Sequence, residues 1–485
     1  MLDSLPGRAL DLIVQYLRGD DNNQAAALHF AQVSQRLRSR AQRLVWEYFT
    51  LARALQSHTL THFAHILPYV ARLQISHNGS LSKGQWLDGL TYLHTLSWEH
   101  VQMVSVELDS FDDNREVVEA VIGFAHRHLS RVRELWVSLS GDFAAAQQML
   151  SSIYPNLSEL RIVGKAPPES AYRVEIAPHA DLSAVTLDAQ AARLTTAAEI
   201  VCRSRATLTE LNIDEYTTPL AMALHLHPAS AWTQYAQLRQ IAITGAHAAA
   251  IIDGSRLPRA ELLCFRGSAG DGSPWLMHSA WARLRLLVVD GLCREDVDAI
   301  GQMAPHLEVL RIGTGGENGG VDLSDVSHLL LTCARLTELS IEAPDHDDEE
   351  MWAEEEVVVV ERPSDTRALI AGNGGNLQSL TLSSWALTFA QLAALLHSLP
   401  QLRSFEGALK PSALPPHIHA HNSLAHLSLV VGATRHPRAL RRSILQLVST
   451  LPCLRTLELY GAASPGIGPA IAHIAPQCRT HIPPL

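Results

Sequence analysis

The sequence predicts an α/β solenoid, a stack of short strand-and-helix units, and three observations predict it. A phrase of the form L-x-x-L-x-L recurs: LSELRI from Leu157, LTELNI from Leu208, LRQIAI from Leu238, LEVLRI from Leu307, LTELSI from Leu336, LQSLTL from Leu377 and LRTLEL from Leu454. Its spacing is narrow. With Leu, Ile, Val or Phe in the apolar slots, the middle apolar residue falls at Leu73, Leu96, Leu135, Leu160, Val185, Leu211, Ile241, Leu263, Leu287, Leu310, Leu339, Leu380, Phe405, Leu427 and Leu457. Most intervals are 22 to 30 residues, with longer ones of 39 after Leu96 and 41 after Leu339. Helix-like segments fill the gaps, and a fixed period of this size marks a repeat architecture.

Each element follows from the physics of the phrase. The L-x-L end alternates, so both apolar residues point to one side of a short strand. The earlier Leu covers the same core from the strand's beginning. Between phrases, a segment runs from Asp188 through AQAARLTTAAEIVCRSR, and DLSDVSHLLLTCAR has Asp322 or Ser324 as a candidate cap. TFAQLAALLHSL starts at Thr388, and PRALRRSILQLVSTL at Pro437, a residue suited to a first helical turn. No repeat buries its apolar side alone, so neighbours must stack. Parallel strands are expected inside the curve, on the concave side, and helices on the convex side.

Composition bounds the function. The chain has 485 residues, 47% hydrophobic and 18% charged, enough to bury a large core. Its formal net charge of −11 argues against nucleic acid, which demands a basic face. None of the six cysteines forms a CxxC pair, so thiols in a reducing compartment are expected rather than a disulfide framework. Asp3, Arg8 and Asp11 interrupt any signal-peptide core, and no run of about 18 apolar residues spans a membrane. The cytoplasm or nucleus follows by elimination.

Residues before Leu51 do not fit the repeat. Ser4 precedes Pro6, a cap and first-turn pair, and Leu5, Leu10, Ile13 and Leu17 then recur at helical spacing. GDDNN breaks that helix, a second apolar stretch ends near Val33, and Leu37, Ala41, Leu44 and Val45 suggest a third helix. Three short helices make a small core that needs a neighbour. The same segment also fits a plain cap on the open end of the array.

The repeats resemble the leucine-rich-repeat family over about residues 66–480. The family often places Asn or Cys three residues after the last strand apolar. Here Lys165, Tyr216, Ala246, Gly315, Pro344, Trp385, Gly432 and Ala462 stand there, so the array is irregular. The opening segment resembles an F-box through Leu5-Pro6, Leu10, Ile13, Leu17, Val33-Ser34 and Leu44-Val45-Trp46, with Arg8 and Leu37 departing from the pattern. The organisation read is therefore an F-box-like module at 1–48 and a leucine-rich-repeat horseshoe at 49–485, with an acidic insertion at about 344–363.

The resemblance implies a substrate-recognition adaptor of a Skp/cullin/F-box type ubiquitin ligase, of the irregular kind seen among fungal F-box proteins. Leu5, Pro6, Leu10, Ile13, Leu17, Val33, Leu44 and Trp46 would bind the Skp-type linker, and the repeats would bind a protein substrate. The alternative is a protein-interaction scaffold without a ligase. Residues flanking the apolar slots face outward on such a sheet: Glu134, Trp136, Glu159, Arg161, Asp214, Arg266, Arg311, Glu342 and Tyr460. Arg and aromatic residues anchor protein partners, so Trp136, Arg161, Arg266, Arg311 and Tyr460 are the candidate partner-binding residues.

Other patterns read as structure. GTGGENGG, Gly313 to Gly320, lacks GK[ST], and Asn318 breaks GxGxxG, so it is a loop. DHDDEEMWAEEE, Asp345 to Glu356, lacks the EF-hand spacing and glycine and reads as a solvated loop. His417, His419 and His421 alternate but follow Pro415-Pro416, which favours a loop over a metal site, and His58, His62 and His65 fit a polar helix face. No hydrolase, metalloprotease or kinase signature occurs. No catalytic activity, cofactor or metal is expected.

Overall fold

The computed structural model describes residues 46–56, 65–76, 81–107, 115–129, 131–138, 154–163, 182–188, 201–214 without 202 and 205, 235–244, 257–266, 281–289, 294–313, 323–342, 375–410, 412, 419–431, 437–461 and 467–481. The F-box-like stretch before Trp46, nearly all of GTGGENGG and the acidic run lie outside them. The chain divides into two compact units, Met1–Gln237 and Leu238–Leu485.

In the amino-terminal unit, β1 (Tyr48–Thr50), β2 (Arg72–Ser76), β3 (Met103–Glu107), β4 (Glu134–Ser138), β5 (Glu159–Val163), β6 (Ala184–Asp188) and β7 (Glu210–Asp214) pair in chain order, all parallel. Between them lie α1 (Leu51–Gln56), a 3-10 turn at Leu67–Tyr69, α2 (Lys83–Leu93) and α3 (Arg115–His128). Leu73, Val104, Leu135, Leu160, Val185 and Leu211 stand opposite one another. A second row, Ile75, Val106, Val137, Ile162, Leu187 and Ile213, follows two residues on, and both rows are buried. Each side chain so buried contributes about 1.5–3 kcal/mol.

One strand assignment changes. Leu96, read as a marker, lies in the turn after α2, and the strand is β3, with Val104 in the row. The intervals of 23 and 39 residues are thereby replaced by two steps of 31, Leu73 to Val104 to Leu135. LHTLSW closes the helix instead: His94 caps α2, and Trp98 is buried with its indole N–H donating to the Leu93 carbonyl at 3.0 Å. The strand is carried by Val101-Gln-Met-Val-Ser-Val106, in which β-branched residues take the slots.

The missing asparagine ladder has a counterpart at the beginning of the strands. The Gln102 carbonyl accepts from both Arg133 N–H and Glu134 N–H, at 2.7 and 3.0 Å, and Arg133, Ser158 and Ser183 repeat the pattern toward the next strand. Hydroxyls at that position reinforce it. Ser158 Oγ donates to the Arg133 carbonyl at 3.2 Å, Ser183 Oγ to Ser158 at 3.1 Å, and Thr209 Oγ1 to Ser183 at 3.0 Å. Backbone groups at these turns therefore find partners without an amide side chain.

In the carboxy-terminal unit, β8 (Gln240–Thr244), β9 (Leu262–Arg266), β10 (Leu286–Val289), β11 (Val309–Gly313), β12 (Glu338–Glu342), β13 (Ser379–Thr388), β14 (Ser404–Lys410), β15 (His426–Val431), β16 (Thr456–Gly461) and β17 (Arg479–His481) again pair in chain order and in parallel. Its helices are α4 (Arg294–Met303), α5 (Leu323–Thr332), α6 (Phe389–Ser398), α7 (Pro437–Ser449) and α8 (Ile467–Ile474). The strands are parallel in both units and described helices lie between some of them in each, consistent with an α/β solenoid. Thr388 caps α6 as expected, its Oγ1 accepting from Gln391 N–H at 3.2 Å while Gln391 Oε1 accepts from Thr388 N–H at 2.8 Å. Pro437 opens α7, and Ser324 lies inside α5 rather than at its cap. Among the described residues no helix is long and apolar enough to cross a membrane.

Two helices of the amino-terminal unit meet through paired imidazoles. His94 Nδ1 lies 2.9 Å from His128 Nε2, and both rings pack on Phe124. Burial lowers both pKa values first. Arg127 lowers both further, and His94 also lowers that of His128. The neutral rings are the folded form, so the unfolded chain protonates first as pH falls from 6.5. Their stabilisation is present above the ordinary value and is lost as pH drops through the lowered one. Urea midpoints should therefore fall across this window, and less steeply in His128→Gln.

Candidate functional site

The outward face of the strands is the candidate site, and its geometry follows from alternation. With the two rows of each phrase buried, the residues one and three positions after each marker point the other way.

On the amino-terminal unit, Trp136 on β4 and Arg161 on β5 stand in register. The Arg161 guanidinium lies over the Trp136 ring, 4.6 Å from its centroid. Trp136 is half-buried and Arg161 exposed. Such a stack contributes about 0.5–1 kcal/mol when exposed, and it holds a planar cation and an indole ready as an anchor. Beside it, Glu134 and Glu159 pair in register on β4 and β5, and Glu210 lies two strands further on. The Glu159 carboxyl is pushed above its usual range, first by burial and then by Glu134 and Glu210.

Toward β1 the same face is closed by its own hydrogen bonds. Tyr48 Oη donates to Gln74 Oε1, and Gln74 Nε2 donates to Glu107 Oε1 at 2.7 Å. Gln74 carries the same offset from its marker as Trp136 and Arg161, with Tyr48 and Glu107 on the same face, yet their types drew no notice in sequence.

On the carboxy-terminal unit the candidates have separate fates. Arg311 on β11 donates through Nε and Nη2 to Glu338 Oε1, at 2.8 and 2.7 Å, so a neighbouring strand already holds it. Arg266 occupies the register position opposite Thr244. Tyr460 on β16 donates to Glu458 Oε2 at 3.3 Å and meets His481 edge-on, with ring centroids 6.3 Å apart. Burial raises its phenol pKa first, then the charges of Glu458 and Glu406. Val430, 39% exposed, stands opposite Tyr460.

Of the F-box-like residues, Leu5, Pro6, Leu10, Ile13, Leu17, Val33 and Leu44 lie outside the described residues. Trp46 is half-buried, its ring 6.2 Å from Phe49 of β1, so it packs on the first strand of the array. Of the three alternating histidines, His417 lies outside. His421 is buried, with Nε2 2.9 Å from the Leu399 carbonyl and Nδ1 accepting from Leu424 N–H at 3.1 Å, while His419 stacks on His397. The buried ring thus serves the turn before β15. Among the described residues no group of three potential metal ligands comes together.

No family model matches the chain. No curated protein matches it either. Among solved structures it is similar to a chain of the crystal structure of the Rad7 and Elc1 complex in yeast, at 14% identity over 98% of this chain and 92% of that chain, with a TM-score of 0.38.

Proposed function

We propose that the chain is a protein-recognition platform that serves as a substrate adaptor of a Skp/cullin/F-box type ubiquitin ligase. The observation that supports the platform is the outward strand face of each unit, where fixed offsets from the buried rows put side chains in lateral lines across parallel strands. Trp136 with Arg161 stacked on it is the anchor on the amino-terminal unit, and indole and guanidinium are the groups that carry most binding energy at protein interfaces. The ligase half of the reading is supported by the F-box-like sequence at 1–48, in which Leu5, Pro6, Leu10 and Ile13 are the apolar groups offered to a Skp-type linker. The protein acts without catalysis of its own, in the cytoplasm or nucleus.

The test uses the full chain. Immobilised protein captures a purified Skp-type linker, and Leu5→Asp with Ile13→Asp abolishes capture. Trp136→Ala with Arg161→Ala leaves the linker bound and removes the substrate side of the interaction. Failure of the intact chain to hold any Skp-type linker leaves the same platform working outside a ligase.

A further inference from the structure

We propose that the cleft at the beginning of β16 and β17 binds an oxyanion-bearing protein segment, phosphorylated or rich in glutamate. The cleft, of about 620 Å³, is lined by Pro452, Cys453, Arg455, Thr456, Gln477 and Arg479. Arg479 stands opposite Thr456 in register, so Arg455 and Arg479 sit on adjacent strands one residue apart along the ladder. Both side chains line the same cleft, and an anion bound between them would lower their mutual repulsion.

The floor of the cleft is tied. Gln477 Nε2 donates to the Pro452 carbonyl at 3.1 Å, and Arg479 N–H to the Arg455 carbonyl at 2.7 Å. The loop after α7 and the loop after α8 are thereby locked together. The two guanidiniums project from a fixed frame, both exposed, and neither forms an ion pair among the described residues.

An equivalent cleft earlier in the same unit shows what a self-neutralised version looks like. That one, of about 400 Å³, includes Arg335 and Glu308 in its lining. Glu308 accepts from Arg285 at 2.7 Å, and its pKa is lowered by that hydrogen bond and by the charges of Arg285 and Arg335. Arg285 thus has its carboxylate on the next repeat, and Arg335 lines the cleft beside that same carboxylate. Arg455 follows its leading leucine as Arg285 does, and neither it nor Arg479 has such a carboxylate among the described residues.

Charge distribution points the same way. Residues 401–485 contain seven arginines and one lysine against two acidic side chains, Glu406 and Glu458, in a chain of net charge −11. The cationic end of an acidic protein attracts anions locally while the rest repels them, which favours a short anionic segment over a long polyanion. Among the described residues no aromatic side chain lines the cleft for a base to stack on, so a peptide fits it better than single-stranded nucleic acid. Paired guanidiniums grip phosphate and carboxylate alike through two-pronged hydrogen bonds. The site stands whether or not the chain joins a ligase.

The experiment is fluorescence anisotropy with the full chain and labelled ten-residue probes: alternating phosphoserine–glycine, glutamate–glycine, lysine–glycine, and a single-stranded oligodeoxynucleotide. Either anionic peptide should bind with an affinity that falls as salt rises, and the tighter of the two identifies the oxyanion. Arg455→Ala with Arg479→Ala should weaken it about tenfold or more. Arg438→Ala with Arg442→Ala removes the same charge from exposed positions of α7 and should leave it within about twofold. Equal weakening by the two double variants, binding of neither anionic peptide, or tighter binding of the oligonucleotide overturns the proposal.

Discussion

Replacing Phe405 by alanine should lower the unfolding free energy of the chain by about 3–5 kcal/mol in a urea titration, the range for a fully buried aromatic truncated to a methyl. Phe405 is 1% exposed and stands in the marker row between Leu380 and Leu427. Every described neighbour in β13, β15 and β16 offers two inward apolar residues: Leu380 and Leu382, Leu427 and Leu429, Leu457 and Leu459. Of these two slots β14 fills only the first with a side chain, because Gly407 occupies the second, opposite Leu382 and Leu429. The phenyl ring fills the gap. A Cβ built on Gly407 would lie 2.9 Å from Phe405 Cζ and 3.4 Å from the Leu382 carbonyl oxygen. One large residue and one absent side chain thus replace the usual pair.

The pairing makes the prediction sharper than a generic core truncation. Gly407→Ala forces the ring aside and should cost about 1–3 kcal/mol, the range for overpacking. Phe405→Leu should leave a cavity at the empty second slot. The double variant Phe405→Leu with Gly407→Ala restores the ordinary phrase in smaller form, so its cost should fall below the sum of the singles by at least about 0.5 kcal/mol. Strict additivity would mean that the ring does not occupy the glycine's slot.

The buried rows were legible because alternation and burial are set by the same residues. Leu135, Leu160, Leu310 and Leu457 were read as inward and are inward, since a short strand flanked by turns has only two sides. Trp136, Arg161 and Arg311 followed as outward from their place one residue after those markers. What they touch was not legible. Arg161 lies on Trp136 while Arg311 is held by Glu338, and the difference is decided across strands by residues about 25 positions away.

The failures have the same origin. Leu96 fitted the pattern but ends a helix, because the pattern tests spacing and not the backbone hydrogen bonds that Trp98 and His94 complete. Phe49 of β1 and Thr480 of β17 were missed because a three-residue strand need not supply a full apolar phrase. The hydroxyl ladder of Ser158, Ser183 and Thr209 escaped notice, since serine and threonine at a turn carry no signal until their carbonyl partners are seen.

Two glycine-to-alanine substitutions, alike in sequence, should move stability in opposite directions. Gly123 and Gly301 both lie inside helices, in α3 and α4, where alanine is intrinsically favoured by about 1 kcal/mol. A Cβ on Gly123 meets nothing within 4 Å, so Gly123→Ala should raise stability by about 0.5–1 kcal/mol. A Cβ on Gly301 would lie 2.2 Å from Thr332 Cβ and 3.0 Å from the Thr332 carbonyl carbon. Those atoms belong to the end of α5, so no rotamer change removes the clash and the two helices must separate. The cost of overpacking, about 1–3 kcal/mol, outweighs the helical gain, and Gly301→Ala should be destabilising. Truncating Thr332 to alanine keeps its Cβ and should not rescue it, whereas Thr332→Gly should recover part of the loss. Urea midpoints for the four variants decide it. A stabilised Gly301→Ala would mean that α4 and α5 are not in contact at this glycine, and with that contact would go the close helix stacking on which the carboxy-terminal array depends.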